Sequence, residues 1–88
     1  MKEETIGGIL VSWRKKQGIF IADCANELNA PIEYLDAIEN NFFSEMPNNH
    51  YAYNLIIKYA KFIQISDKDS KKIRNIAKQI LKITDQNT

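Results

Sequence analysis

Apolar residues recur at helical spacing along most of the chain, and no segment alternates convincingly with the two-residue period of a strand. A first helix is predicted from four apolar positions at i, i+3, i+4 and i+7, namely Ile6, Ile9, Leu10 and Trp13. Thr5 precedes this stripe as the expected N-cap, and Gly18 ends the helix. We expect the whole stripe, its tryptophan included, to face the core.

Two short helices follow, within residues 19–28 and 31–40, and Asn29 closes the first of them. Their predicted inward-facing residues are Ile21, Ala25 and Leu28, then Ile32, Leu35 and Ile38. Pro31 suits the first turn of the third helix, and Asn40 stands at its end. The connection that follows is expected to be plugged by Phe42, Phe43 and Met46. Two short helices joined by a tight turn in a small helical protein indicate a helix-turn-helix.

The fourth segment is the most apolar, which is typical of the central helix of a bundle. Its apolar residues are Tyr51, Leu55, Ile56, Tyr59, Ala60, Phe62 and Ile63. Tyr59 is expected in the core with its hydroxyl reaching water, whereas Tyr51 fits a core position and a partner contact equally well. Ser66 and Asp69 resemble a capping pair that opens a fifth helix, which runs through about Ile83. The apolar residues of that helix are Ile73, Ile76, Ala77, Ile80 and Leu81.

These five segments predict a compact all-α bundle, repressor-like in containing a helix-turn-helix, as a single domain over residues 1–88. Its core spans about 5–83, and the polar tail at 84–88 is expected to fray. A chain of 88 residues with 44% hydrophobic residues suits one core. One cysteine excludes a disulfide framework, and no apolar run approaches the roughly 20 residues of a membrane span. The start of the chain is not that of a signal peptide.

The net charge of +1 conceals a strong polarity along the chain. Residues 20–50 contain six carboxylates and no Lys or Arg, whereas residues 51–88 carry eight basic and three acidic side chains. Four basic residues of the fifth helix line the side opposite its apolar stripe: Lys71, Arg74, Lys78 and Lys82. Such a stripe is typical of a solvated face, and beside a membrane it would be attracted to anionic lipid. Both interpretations stay open.

Catalytic chemistry finds little support in the sequence. Cys24 and His50 stand 26 residues apart, with no glycine-rich turn or nucleophile elbow near either. Cys24 follows the apolar period of the second helix, which predicts a small buried hydrophobe, and His50 is expected in a turn. One Cys and one His cannot build a zinc site unaided. We therefore expect no enzyme activity, no cofactor, no metal ion and no small-molecule substrate.

A family resemblance extends over about residues 5–67. The matching residues are Thr5-Ile6-Gly7, Leu10, Arg14, Lys15, Gly18, Ala25, Tyr34-Leu35, Ala37-Ile38-Glu39, Phe43, Pro47, Tyr51 and Tyr59-Ala60-Lys61. They resemble the cytoplasmic domain of the RodZ family of bacterial cell-shape proteins, whose helix-turn-helix belongs to the Cro/repressor-like superfamily. Ordinary repressors do not share the stretch from Met46 to Lys61. Phe20 departs from the family, which usually has a Ser N-cap at this position.

The resemblance implies a non-enzymatic cytoskeletal adaptor that binds the actin-like filament protein MreB. In the family the contact uses aromatic residues one turn apart on the fourth helix, and these positions fall on Tyr51 and Leu55. Tyr53 and Lys58 complete the predicted contact set. Leu55 departs from the usual aromatic residue, and Ile57 stands where the family commonly has Arg. The resemblance also implies the cytoplasmic domain of a single-span membrane protein, although a soluble relative stays open.

The alternative is a DNA-binding transcriptional regulator whose third helix enters the major groove. That helix would present Glu33, Tyr34, Asp36, Ala37 and Asn40. Its carboxylates would repel the phosphate backbone instead of releasing counterions. A glutamate can accept a hydrogen bond from cytosine, but no basic neighbour within residues 20–50 could position it. The sequence therefore favours the adaptor and keeps DNA binding as the second hypothesis.

Overall fold

Helix α1 (Ile6–Lys16) begins directly after Thr5, whose Oγ1 accepts a hydrogen bond from the Gly8 amide at 3.0 Å. The computed structural model describes residues 4–83, so the predicted tail at 84–88 lies outside it. The remaining elements are α2 (Ile21–Leu28), α3 (Ile32–Glu39), a 3-10 turn (Phe43–Glu45), α4 (Asn49–Phe62) and α5 (Asp67–Leu81). Across the described range every regular element is helical, which confirms the predicted all-α fold with its five helices.

Residues with short polar side chains cap the starts of several helices, and residues in the left-handed backbone conformation follow the ends of others. Ser66 Oγ accepts from the Asp69 amide at 3.1 Å, so the predicted cap of α5 is confirmed. Asn29 takes φ 54° in the turn between α2 and α3, a conformation that asparagine tolerates better than most residues. Lys82 does the same with φ 56°, which ends α5 slightly before the predicted Ile83. At the start of α2, Phe20 makes no side-chain capping bond.

The core is formed by the inward faces of all five helices together with the 3-10 turn. Its largest fully buried side chains are Tyr59, Ile6, Leu10, Leu35, Ile38, Ile56, Ile63, Ile73 and Cys24. Helix α1 occupies a position between two neighbours, because it contacts α3 through Arg14 and α5 through Trp13. The predicted role of Cys24 as a small buried hydrophobe is confirmed.

Ile32 was predicted to face inward and Phe42 to plug a connection, but they are 41% and 59% exposed; Ile80, an apolar residue of the fifth helix, is 52% exposed. Positions spaced strictly by three residues drift by about 60° per step around an α-helix. The next two apolar residues of α3 therefore reach the core, while Ile32 turns away from it. The side chain of Phe43 enters the core at the 3-10 turn, and its neighbour Phe42 is left outside.

Trp13 lies at the edge of the core, so the prediction that it is a core residue is only partly correct. Its Nε1 donates a hydrogen bond to Asp69 Oδ2 at 2.8 Å, which ties α1 to the first turn of α5. Lys16 Nζ lies 4.9 Å from the ring centroid, within the range of a cation–π contact. An indole N–H needs an acceptor when it is withdrawn from water, and the carboxylate at the rim supplies one.

Candidate partner-binding groove

A groove of ≈ 310 Å³ separates the α2–α3 turn from the outer side of α4. It is lined by Leu28, Asn29, Ala30, Tyr51, Asn54, Leu55 and Lys58. Three of the four residues predicted for partner binding, Tyr51, Leu55 and Lys58, therefore lie together. They are spaced i, i+4 and i+7, which places them on one stripe of a helix. Sequence reasoning did not identify the opposite wall, which the α2–α3 turn supplies.

The first turn of α4 is held at both sides by asparagine side chains. Asn48 Oδ1 accepts from the Tyr51 amide at 2.8 Å, which caps the helix. Asn49 Nδ2 donates to the Leu81 carbonyl at 3.0 Å and so fastens the start of α4 to the end of α5. His50 lies inside this first turn and not in the turn before it, where the sequence placed it. These two contacts anchor the backbone turn that carries Tyr51.

Tyr51 is half-buried, and its ring meets that of Tyr34 edge-on, with centroids 5.6 Å apart and planes at 75°. Such aromatic pairs contribute about 1 kcal/mol beyond the area that they bury. Lys58 is exposed at the rim of the groove, whereas Leu55 is only 4% exposed and forms its floor. The structure thus corrects the view of Leu55 as a surface contact, because most of its side chain packs inside the bundle.

Tyr53 does not line the groove. Two residues along an α-helix rotate the side chain by about 200°, so Tyr53 and Tyr51 leave α4 on different flanks. Tyr53 is half-buried against the core instead. Tyr53 is therefore the member of the predicted contact set that does not lie in this groove.

The outer face of α3 bears on the DNA-binding alternative. Of the five residues predicted to read bases, Glu33, Asp36 and Asn40 are exposed. Ala37 is buried and so cannot contact a base as predicted, whereas Tyr34 is half-buried and packs edge-on against Tyr51. The surface that a repressor would insert into DNA presents two carboxylates and one amide here.

A polar network behind α3 joins three helices, and sequence reasoning missed it. Glu39 receives two hydrogen bonds from Arg14, from Nε at 2.7 Å and from Nη2 at 3.0 Å. Arg14 Nη1 also donates to the carbonyl of Ile19 at 2.8 Å. Tyr59 is fully buried and its hydroxyl donates to Glu39, so the expectation that this hydroxyl reaches water is wrong. The three partners are 20 and 25 residues apart in sequence, which no local pattern reveals.

The network changes the protonation equilibria of its members. The hydrogen-bonded carboxylate of Glu39 raises the pKa of Arg14, which keeps this guanidinium protonated. Burial, and next the hydrogen bond to Glu39, raise the pKa of Tyr59 far above its ordinary value. Burial likewise raises the pKa of the Cys24 thiol, which keeps it protonated and unreactive.

Alkaline pH is expected to destabilise the protein through Tyr59. A tyrosine whose pKa is higher in the folded state than in the unfolded state stabilises the fold. This stabilisation is complete at pH values below the unfolded-state pKa of about 10, and it is lost as the pH rises further. Above a pH of about 10, Tyr59 alone should therefore lower the free energy of unfolding by about 1.4 kcal/mol per pH unit. Urea unfolding of the wild type and Tyr59→Phe between neutral and alkaline pH measures the difference. Parallel pH profiles for the two proteins would contradict the assignment.

The remaining predicted surface is the basic stripe, formed by Lys71, Arg74 and Lys78 of α5 together with Lys82, which follows the end of that helix. Lys71, Arg74 and Lys82 are exposed, whereas Lys78 is half-buried. Contact of this stripe with an anionic membrane stays a prediction.

Over residues 4–83, no helix combines the length and apolarity needed to cross a bilayer. Within the same range, no three His, Cys, Asp or Glu side chains are grouped so that they could hold a metal ion.

Helices α2 and α3, joined by a left-handed turn and packed against α1 and α4, define the class of protein as a helix-turn-helix domain. The helix-turn-helix domain family matches residues 9–70, and the chain belongs to that family. Over 67 residues it is 27% identical to the cytoskeleton protein RodZ of Streptococcus pneumoniae, which confirms the resemblance noted in the sequence. The match covers 76% of this chain and 24% of that protein. No solved structure matches the chain.

Proposed function

We propose that this RodZ-like domain is a non-enzymatic adaptor that binds the actin-like filament protein MreB through the groove beside α4. The observation that carries the proposal is the meeting of Tyr51, Leu55 and Lys58 in one groove. Tyr51 and Leu55 are the positions at which the family resemblance implies a filament contact, and Lys58 belongs to the predicted contact set beside them. The cytoplasmic location and the membrane span elsewhere in the natural protein, which the resemblance also implies, belong to the same proposal.

Each groove residue has a distinct part in the proposed contact. Tyr51 supplies a large amphipathic ring with few rotatable bonds, the kind of side chain that dominates interface energies. Leu55 gives the groove an apolar floor on which a partner side chain can rest. Lys58 places a cation at the rim, where it would pair with a carboxylate of the partner and steer its approach. Tyr53 leaves α4 on another flank and does not line the groove, so its contact with the filament stays a prediction.

The acidic outer face of α3 supports the adaptor over a DNA-binding regulator. Glu33 and Asp36 would stand where repressors place cations or amides against base edges and phosphates. We expect a fluorescence titration with random and selected duplexes, at two salt concentrations, to show no sequence preference. Sequence-specific binding with a steep salt slope would favour the regulator instead.

Lys58→Glu is expected to weaken binding to MreB filaments by about tenfold, because it places a negative charge against the partner carboxylate with which Lys58 is proposed to pair. The matched control is Lys61→Glu, which changes another exposed lysine of α4 that does not line the groove. Co-sedimentation with assembled filaments measures both affinities. Thermal unfolding should be nearly the same for the two variants, since both side chains lie on the surface.

Equal losses of co-sedimentation in the two lysine variants would contradict the groove as the contact site. Tyr51→Ala provides an independent test, and we expect it to abolish measurable co-sedimentation. Because Tyr51 also packs on Tyr34, this variant should lose about 1 kcal/mol of stability as well. A Tyr51→Ala variant that binds filaments as the wild type does would overturn the proposal.

A further inference from the structure

Exposed side chains of opposite charge are grouped on different helices of the molecule. The first group, which we call the acidic face, consists of the exposed carboxylates of α2 and α3: Asp23, Glu27, Glu33 and Asp36. No Lys or Arg occurs anywhere within residues 20–50 to neutralise them. The half-exposed apolar side chain of Ile32 stands on the same side of α3 as Glu33 and Asp36.

The second surface is the basic stripe of α5. Its exposed members Lys71 and Arg74 are three residues apart, the same spacing as Glu33 and Asp36 on α3. Three residues correspond to a rise of about 4.5 Å along an α-helix, so the two cations and the two carboxylates repeat at the same distance. Within residues 4–83 the salt bridges join Arg14 to Glu39 and Lys72 to Glu4, and neither includes these four side chains.

A single copy of the chain cannot bring the two surfaces together. Helix α1 lies between them, since it contacts α3 through Arg14 and α5 through Trp13. A second copy can present its α5 to the α3 of the first, and the charges and their spacing are then complementary. The small net charge of +1 leaves little general repulsion between copies.

We propose that the domain associates with itself head to tail, with the basic stripe of one copy on the acidic face of the next. Ile32 supplies the apolar contact at the centre of the acidic face. An interface between two different surfaces is heterologous, so association yields a ring where the rotation between copies closes and a growing series of oligomers where it does not, and not a two-copy dimer. The contact is made of exposed ion pairs, and salt therefore weakens it.

Charge reversal tests this interface without touching the groove residues Tyr51 and Lys58. The variants are E33K/D36K on the acidic face and K71E/R74E on the basic stripe. Sedimentation equilibrium over a range of concentrations, at about 0.05 M and about 0.5 M salt, measures the average mass. For the wild type at low salt we expect the mass to rise with concentration without levelling at twice 10.2 kDa.

Each reversed variant alone should associate at least about tenfold more weakly than the wild type, and high salt should have the same effect. An equimolar mixture of the two variants should regain association, because the altered α3 of one complements the altered α5 of the other. A wild type that stays monomeric at low salt, or a mixture that stays monomeric, overturns the proposal. So does loss of anionic-vesicle binding in K71E/R74E when neither variant alters self-association, since the stripe then faces lipid.

Discussion

Gly7→Ala is expected to lower the free energy of unfolding by about 3 kcal/mol, a large fraction of the stability of a protein of this size. Gly7 lies where α1 crosses the end of α3. A Cβ atom placed on it would lie 2.6 Å from the carbonyl carbon of Glu39 and 2.7 Å from the carbonyl oxygen of Ile38. Backbone atoms cannot rotate out of the way as a side chain can, so the two helices would have to separate.

The neighbouring residue provides the matched control. A Cβ atom on Gly8 would meet only Thr5 Oγ1, at 3.1 Å, on the exposed side of α1. Gly8→Ala should therefore stay within about 1 kcal/mol of the wild type, helped by the better helix propensity of alanine. Chemical denaturation followed by circular dichroism measures both variants. Similar unfolding free energies for the two would show that the close approach at Gly7 is not required.

Glu39→Gln is expected to cost about 3 kcal/mol, because it leaves a mostly buried cation without its counter-charge. The side chains of Arg14 and Glu39 are only 12% and 9% exposed, so water can replace little of the lost interaction. The buried hydroxyl of Tyr59 loses its anionic acceptor in the same step. The control on the same helix is Asp36→Asn, an exposed acid whose neutralisation should change stability by no more than about 0.5 kcal/mol.

A double-mutant cycle separates the ion pair from the remaining contacts of Glu39. Arg14→Gln combined with Glu39→Gln should cost much less than the sum of the two single changes, because no unpaired charge then remains. Urea unfolding of the four proteins gives the coupling energy. Additive single effects would mean that the two side chains do not stabilise each other.

The location of the helices was accessible from the sequence because its signals are local. The N-caps Thr5 and Ser66 lie three residues from the amides that they bind, and the apolar repeats span one or two turns. The same local reading failed for Ile32 and Phe42. Each belongs to an apolar run, but the exact rotation of the element decides which members of a run reach the core.

The groove was predictable on one wall only. Tyr51 and Lys58 share a helix, so spacing and family resemblance suffice to bring them together. The opposite wall, at Asn29 and its neighbours, comes from the turn between α2 and α3, whose position over α4 depends on the packing of the whole bundle. The burial of Leu55 likewise follows from that packing and not from its spacing.

The sequence by itself determined an all-helical domain with a helix-turn-helix, and an acidic segment that argues against DNA contact through α3. Both follow from composition and from periods of three to four residues, which act within one helix. Only the tertiary structure decided that Gly7 must lack a side chain and that Arg14, Glu39 and Tyr59 form one network. It also decided that the acidic face and the basic stripe stand apart. These features join residues tens of positions distant, and their energies exist only once the helices have packed.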